Sequence, residues 1–330
     1  MGPPGLGRFV ARRLALSVPV VVLASVVTFG LVAASGDPLI ELRTNAHISK
    51  DTIRDRERAL HLDRAIPVRY VIWAGAALRG DMGRTIDDSE DVGAVLWRAS
   101  GVTARLVGPA MVVALVLALV VGVVSAARRG SWFDHLGTLS AFLLIALPAF
   151  WLGWLLREVT VHLNGAIGAH VLFFTGERST VSPGGALAAA SDRLRHLVLP
   201  AMTLGLVVMA PWSRFLRSSM LDSLGADYVR TARAKGLPEW RVVGHHALRT
   251  SLVPLTTIVA LTSAGLVGGA VVVEQVFSWP GLGQVLLRGL QGQDVNLVAG
   301  WLLMASLFVI GLNLAADIAC AVLDPRTRRG

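Results

Sequence analysis

The residues able to do chemistry in this 330-residue chain are few and scattered. His245 and His246 are adjacent, so on a helix they project about 100° apart and do not share a ligand. No His-Glu-x-x-His pattern accompanies them, and no metal site is expected. Asp317 lies four residues after Asn313, which puts both on one helix face. An acid in an apolar run is a candidate for a translocation pathway. Near a helix end it also serves to pair with an arginine. Glu274 has two readings: it lines a gate, or it caps the loop that carries Pro280, Gly281 and Gly283. Cys320 is the single cysteine, so no intrachain disulfide exists, and it reads as a small packing residue.

The most distinctive polar stretch is "YVRTARAKGLPEW", residues 228–240. Asp227 is placed to cap a helix over Tyr228–Lys235, and Gly236 fits the left-handed position that follows a helix end. Pro238 suits the first turn of a new helix, which Glu239 and Trp240 open and which runs to about Thr250. Pro254 then marks entry into an apolar run. A short helix pair with a tight corner, tied at both ends to apolar segments, fits a groove on a soluble partner. Leu237 and Trp240 would be its apolar contacts. The other reading is a solvated basic loop that only sets topology. A DNA-reading helix-turn-helix is excluded by the short tethers, so no nucleic-acid partner is expected.

The elements around this stretch are those of a membrane protein. Hydrophobic residues make up 54% of the chain and charged residues 16%, against about 25% charged in a soluble domain. Six runs are long enough to cross a bilayer: Leu14–Ala34, Leu106–Ala127, His135–Leu156 with a kink at Pro148, Leu197–Trp212 with Pro200 and Pro211, Leu252–Val273 and Leu297–Val322. The first is too long for a signal-peptide core and reads as an uncleaved span. Arg8, Arg12 and Arg13, then Arg128 and Arg129, then seven basic residues from Arg214 to Arg249, then Arg326, Arg328 and Arg329 all fall on one side of six spans. Short basic loops stay in the cytoplasm, so both termini are expected there, and the formal net charge of +9 is explained by contact with anionic lipid. The opposite loop, 35–105, balances eleven basic against eleven acidic residues. It is expected to fold, with Ser49 capping a helix and a two-glycine turn at Leu78–Thr85. Loop 157–195 is expected to be irregular, and loop 274–296 to carry the "FSWPGLG" turn.

"YVRTARAKGL" resembles the cytoplasmic signature loop of ABC importer permeases. Arg230-Thr231-Ala232 stands at the Glu-Ala-Ala positions and Gly236 at the glycine, as in the dipeptide, oligopeptide and nickel branch. "RFVARRLALSVPVVVLASVVTFGLVAASGDP" (8–38), "LDRAIPVRYVIWAGAALRGDMGRTI" (62–86), "LRHLVLPAMTLGL" (194–206), "EQVFSWPGLGQVLLRGLQGQD" (274–294) and "NLAADIACAVLDPRTR" (313–328) are similar to that branch's B-type subunit. His61, Asn296 and the missing tyrosine after Asp317 depart from its pattern.

The resemblance implies an all-α, six-span, type I ABC importer permease in the cell membrane, multi-pass and non-catalytic. Its segments would be an amino-terminal segment with the first span (1–34), a folded outer loop (35–105) and a transmembrane core (106–323) with a coupling loop (214–250). A cytoplasmic tail (324–330) would follow. Arg230, Thr231, Ala232, Lys235, Gly236, Leu237, Pro238 and Trp240 would dock on a separate ATPase chain. ATP and Mg would be bound by two such ABC subunits, and this chain would hold no cofactor. A C-type permease would complete a heterodimer, and a substrate-binding protein would deliver short peptides. Nickel, haem or another small solute such as glutathione are the alternatives. The absence of G-x-x-x-x-G-K-[ST] agrees with a motor on another chain. A secondary transporter, working without ATPases, and an intramembrane enzyme, for which no nucleophile set is found, are the competing classes.

Overall fold

The computed structural model describes residues 6–44, 49–180 and 184–323, and every regular element among them is helical. Four helices are individually long and apolar enough to span a bilayer: the Leu14–Ser35 part of α1 (Leu6–Ser35), α5 (Val92–Ala127), α8 (Ala186–Gly225) and the Val295–Ala315 part of α13 (Val295–Leu323). Two bent pairs raise the number to six when each counts as one span. These are α6 (Trp132–Ala146) with α7 (Ala149–Ile167), and Glu239–Ser263 with Gly265–Val276, the latter within a run that contains α11 (Leu248–Val276).

The third apolar run is therefore broken where only a kink was expected. The pair α6–α7 turns through 113°. Leu147, forced out of the helical region by the ring of Pro148, sits at ψ 130, and Pro148 becomes the N-cap of α7. The fourth run departs the other way. It is one 40-residue helix that passes through Pro200 and Pro211. Consequently, among the described residues, loop 157–195 is irregular only at 168–180 and 184–185. The 35–105 loop likewise ends early, because α5 starts at Val92.

The chain divides into two compact units, residues 103–279 with both terminal segments, and residues 11–102 with 280–308. In the first, Gly205 on α8 faces α5, where a Cβ would come within 3.0 Å of the Ala110 carbonyl oxygen. Small residues let membrane helices approach closely in this way. Ala114, Ala118, Trp212, Leu216, Met220 and Leu255 fill the space between. The Trp212 indole N–H donates to Thr262 Oγ1 at 2.8 Å, which satisfies a buried donor.

In the second unit, Phe29, Tyr70 and Trp73 cluster against Val295, Val298 and Ala299. This joins α1 and α4 (Ile66–Ala77) to α13. Ser49 caps α3 (Lys50–Ala59) by accepting from Thr52 N, as expected, and Gly80 and Gly83 take φ +90 and +85 in the two-glycine turn. Within 274–296 the chain forms α12 (Leu282–Gln291), a helix where a loop was expected. Leu282 buries it against Val92, Leu96 and Leu297, and its carbonyl accepts from Trp301 Nε1 at 2.7 Å.

Candidate functional site

The stretch at 227–250 is a helical corner built from the inside out. After Ala226, α9 (Asp227–Ala234) presents Val229 and Ala232 to Val242, with Leu224 and Leu237 partly buried beside them. Its other face, with Arg230, Thr231 and Lys235, is exposed. The helix ends at Lys235, and Gly236 takes φ +75. Gly236 N donates to the Arg233 carbonyl at 2.9 Å and Leu237 N to the Ala232 carbonyl at 3.4 Å. This is the paired-bond stop in which left-handed backbone follows a helix, with its usual apolar contact from Leu237 back to Ala232. A Cβ at Gly236 would meet nothing within 4 Å. Backbone conformation alone demands the glycine.

Two details differ from the expectation. Asp227 is the first helical residue, and its side chain does not cap. Pro238, with ψ 143, is the residue before the new helix and not part of its first turn, while α10 (Glu239–Arg241) opens at Glu239 as expected. Of the two proposed apolar contacts, Leu237 is half-buried within the chain itself, while Trp240 is 71% exposed with Arg241 near its ring. A six-residue π-helical turn, Val242–Ala247, then leads into α11. It contains His245 and His246, whose rings lie perpendicular at 5.3 Å. Among the described residues no group of three metal-ligating side chains occurs.

The corner is also tied by an ion pair. Arg233 Nη2 and Nε reach the two carboxylate oxygens of Glu239 at 2.6 and 3.2 Å, across Gly236. That fork raises the affinity of the Arg233 guanidinium for its proton.

The other candidate residues are dispersed. Glu274 is fully buried, and Thr103 Oγ1 donates to its carboxylate at 2.6 Å. Its backbone carbonyl accepts from Trp279 N at 2.8 Å, in the turn that leads to Pro280. Pro280 is exposed, Gly281 precedes α12 with φ −99, and Gly283 is buried in its first turn. Asn313 Oδ1 is buried on α13 without a hydrogen-bond partner. Asp317 lies in the same helix, but its side chain, like the tail 324–330, is outside the described residues.

Residues 118–329 match the family described as "Binding-protein-dependent transport system inner membrane component". The chain belongs to this family. It is 39% identical over 322 residues to the oligopeptide transport system permease protein OppB of Mycobacterium tuberculosis (strain ATCC 25618 / H37Rv), covering 97% of this chain and 99% of the relative. It is 34% identical over 334 residues to the dipeptide transport system permease protein DppB of Escherichia coli (strain K12), covering 97% and 98%. The fold is shared with an inward-facing structure of the MetNI methionine ABC transporter, with a TM-score of 0.54 and 18% identity over 70% of this chain and 97% of that one. The chain is thus a multi-pass inner membrane component of a transport system, with the fold of an ABC importer permease.

In this permease several polar contacts escaped sequence reasoning. Arg217 on α8 grips Asp134 on α6, and Arg214 lies 3.9 Å above the Phe142 ring. Asp192, buried on α8, accepts from both the N–H and the hydroxyl of Ser179. One turn on, His196 stacks at 4.5 Å on Phe173. The long separations between these partners leave no local signal. Only the Arg233–Glu239 pair, six residues apart across an expected corner, was readable.

Proposed function

We propose that the corner from Arg230 to Trp240 is the surface through which a separate ATPase drives this permease. The observation that carries the reading is the split of α9 into two faces. Val229 and Ala232 anchor it to Val242, while Arg230, Thr231, Lys235 and Gly236 remain exposed on a corner fixed by backbone hydrogen bonds and by Arg233–Glu239. Because α8 leads into the corner and the π-helical turn leads out into α11, a push on it moves two spans. Leu237 steadies the corner from inside, Pro238 holds the extended residue at the turn, and Trp240 supplies the exposed apolar contact. Two ATPase subunits would bind ATP and Mg, and this chain would need no cofactor of its own. With six spans and the corner facing the ATPase, both termini lie in the cytoplasm.

In the same reading, residues 35–105 form a folded outer segment, 106–323 the transmembrane core and 214–250 its coupling loop. A related C-type permease completes the pathway, and an external binding protein delivers cargo. The relatives are named for oligopeptides and dipeptides, which supports short peptides as cargo over nickel, haem or another small solute. Asn313, with its unpartnered buried oxygen, is the pathway candidate, and Asp317 on the same helix accompanies it. Glu274, sealed against Thr103, acts on the gate only if that contact opens.

The test is uptake in cells whose partner ATPase has its catalytic residue disabled. Loss of uptake is the expected result. Full residual uptake would mean a secondary transporter and overturn the reading.

A further inference from the structure

Residues 168–180 run between α7 and α8 as a strap, and its contacts fall into two groups of unequal strength. The first group holds it to α7 and α8. Asn164 on α7 is buried, accepts from Val171 N at 2.9 Å and donates to the Leu172 carbonyl at 2.9 Å. Asp192 on α8 is buried too, and accepts from Ser179 N at 2.9 Å and from Ser179 Oγ at 2.6 Å. Between these ties, Phe173 N donates to the Arg195 carbonyl at 3.3 Å and its ring stacks on buried His196. Phe174 lies under the Arg157 guanidinium of α7. Hydrogen bonds to a buried carboxylate are among the strong ones, and ring stacking adds to them.

The second group is carried by two consecutive residues. Gly176 takes φ +74, and its N–H donates at 2.8 Å to the carbonyl of Phe277, the residue just past the end of α11. Glu177 Oε1 meets Arg105 Nε of α5 at 2.7 Å. The first of these is a single backbone bond. The second is an ion pair whose arginine is 53% exposed, and pairs of that kind contribute little. The place of these ties matters. The corner joins the C-terminal end of α8 to the start of α11, whereas the strap joins the N-terminal part of α8 to the residue after α11. The two helices that the corner would drive are thus bridged at their far ends by the strap.

We propose that the strap is a one-sided clasp, hinged on α7 and α8 and latched to α5 and to the exit of α11 through Gly176 and Glu177. When the far ends of these helices part, the weaker group gives way and the strap travels with α7 and α8. Its release on driving rests on the reading of the corner as the motor contact. The hinge and the latch themselves do not, because they follow from the unequal strength of the two groups.

The test puts nitroxide labels on the full chain in a Cys320→Ser background. Thr175 on the strap is paired with Ala104 on α5 or with Leu194 on α8, all three exposed, and dipolar EPR reads each distance in lipid nanodiscs. In the chain alone, Arg105→Gln should add a longer population to the Thr175–Ala104 distance and leave the Thr175–Leu194 distance unchanged. In the assembled complex with catalytically disabled ATPase subunits, ATP should produce the same change with Arg105 in place. No response to Arg105→Gln, or a lengthening of Thr175–Leu194 in its stead, would overturn the clasp. A response to Arg105→Gln without one to ATP would uphold the hinge and latch, and overturn their release by the motor.

Discussion

Arg217 on α8 closes a two-pronged contact on Asp134 at the start of α6, with Nε to Oδ1 at 2.6 Å and Nη2 to Oδ2 at 2.8 Å. Asp134 is buried, and it also accepts from Gly130 N in the turn that precedes α6. One carboxylate therefore fixes the turn after α5, the start of α6 and the C-terminal part of α8. Removing it leaves the guanidinium without its counter-charge. Asp134→Ala should destabilise the permease by about 3 kcal/mol or more, read from denaturant unfolding in micelles. The exchange Asp134→Arg with Arg217→Asp should recover little, because Gly130 N would still lack its acceptor. Full recovery would mean that charge pairing alone matters.

At Gly236 only backbone conformation is at stake, since a side chain there meets open space. Left-handed backbone costs an ordinary residue about 1–2 kcal/mol. Asparagine tolerates it best and β-branched residues worst. Uptake coupled to ATP hydrolysis should therefore fall in the order glycine, asparagine, alanine, valine. Wild-type transport by an assembled Gly236→Val complex would show that the corner is not the coupling surface.

The Arg233–Glu239 pair is half-exposed, so its contribution to global stability should stay below about 1 kcal/mol. Its role is to hold two short helices at a fixed angle across Gly236. Arg233→Glu should leave the melting temperature nearly unchanged and lower the ratio of substrate moved to ATP hydrolysed. Adding Glu239→Arg should restore that ratio. A large stability loss without a coupling defect would contradict this division of roles.

The helical corner, the Ser49 cap and the two-glycine turn were legible in the sequence because each is set by residues within a few positions of one another. The apolar runs were legible for the same reason, though their limits were not. Pro148 breaks its helix while Pro200 and Pro211 do not, and the three look alike as letters. What decides is packing, such as the close approach of α5 to α8 at Gly205. Thr103 with Glu274, and Asp134 with Arg217, join residues 171 and 83 positions apart. No local pattern announces such partners. That Leu237 also packs inside the chain could not be read locally, because its inner neighbour Val242 lies beyond the corner.

Asp294 makes the pH dependence of the second unit predictable. Its two oxygens accept from Ile86 N at 2.7 Å and from Leu297 N at 3.0 Å, capping α13 and pinning the turn at residue 86. Burial, the dominant cause, pushes its carboxyl above the usual carboxylate range, and the nearby Asp87 adds to the rise. A group whose pKa is raised on folding contributes stability that is complete below its unfolded value and is lost as pH climbs through the folded one. The permease should therefore lose part of its stability as pH rises through and above the ordinary carboxylate range. Asp294→Asn should flatten that part of the curve. It should also cost about 1–3 kcal/mol, because an amide oxygen can serve only one of the two N–H groups and turns a donor toward the other. Melting curves of both forms across that pH range decide the matter: an unchanged slope in Asp294→Asn would assign the titration to another group.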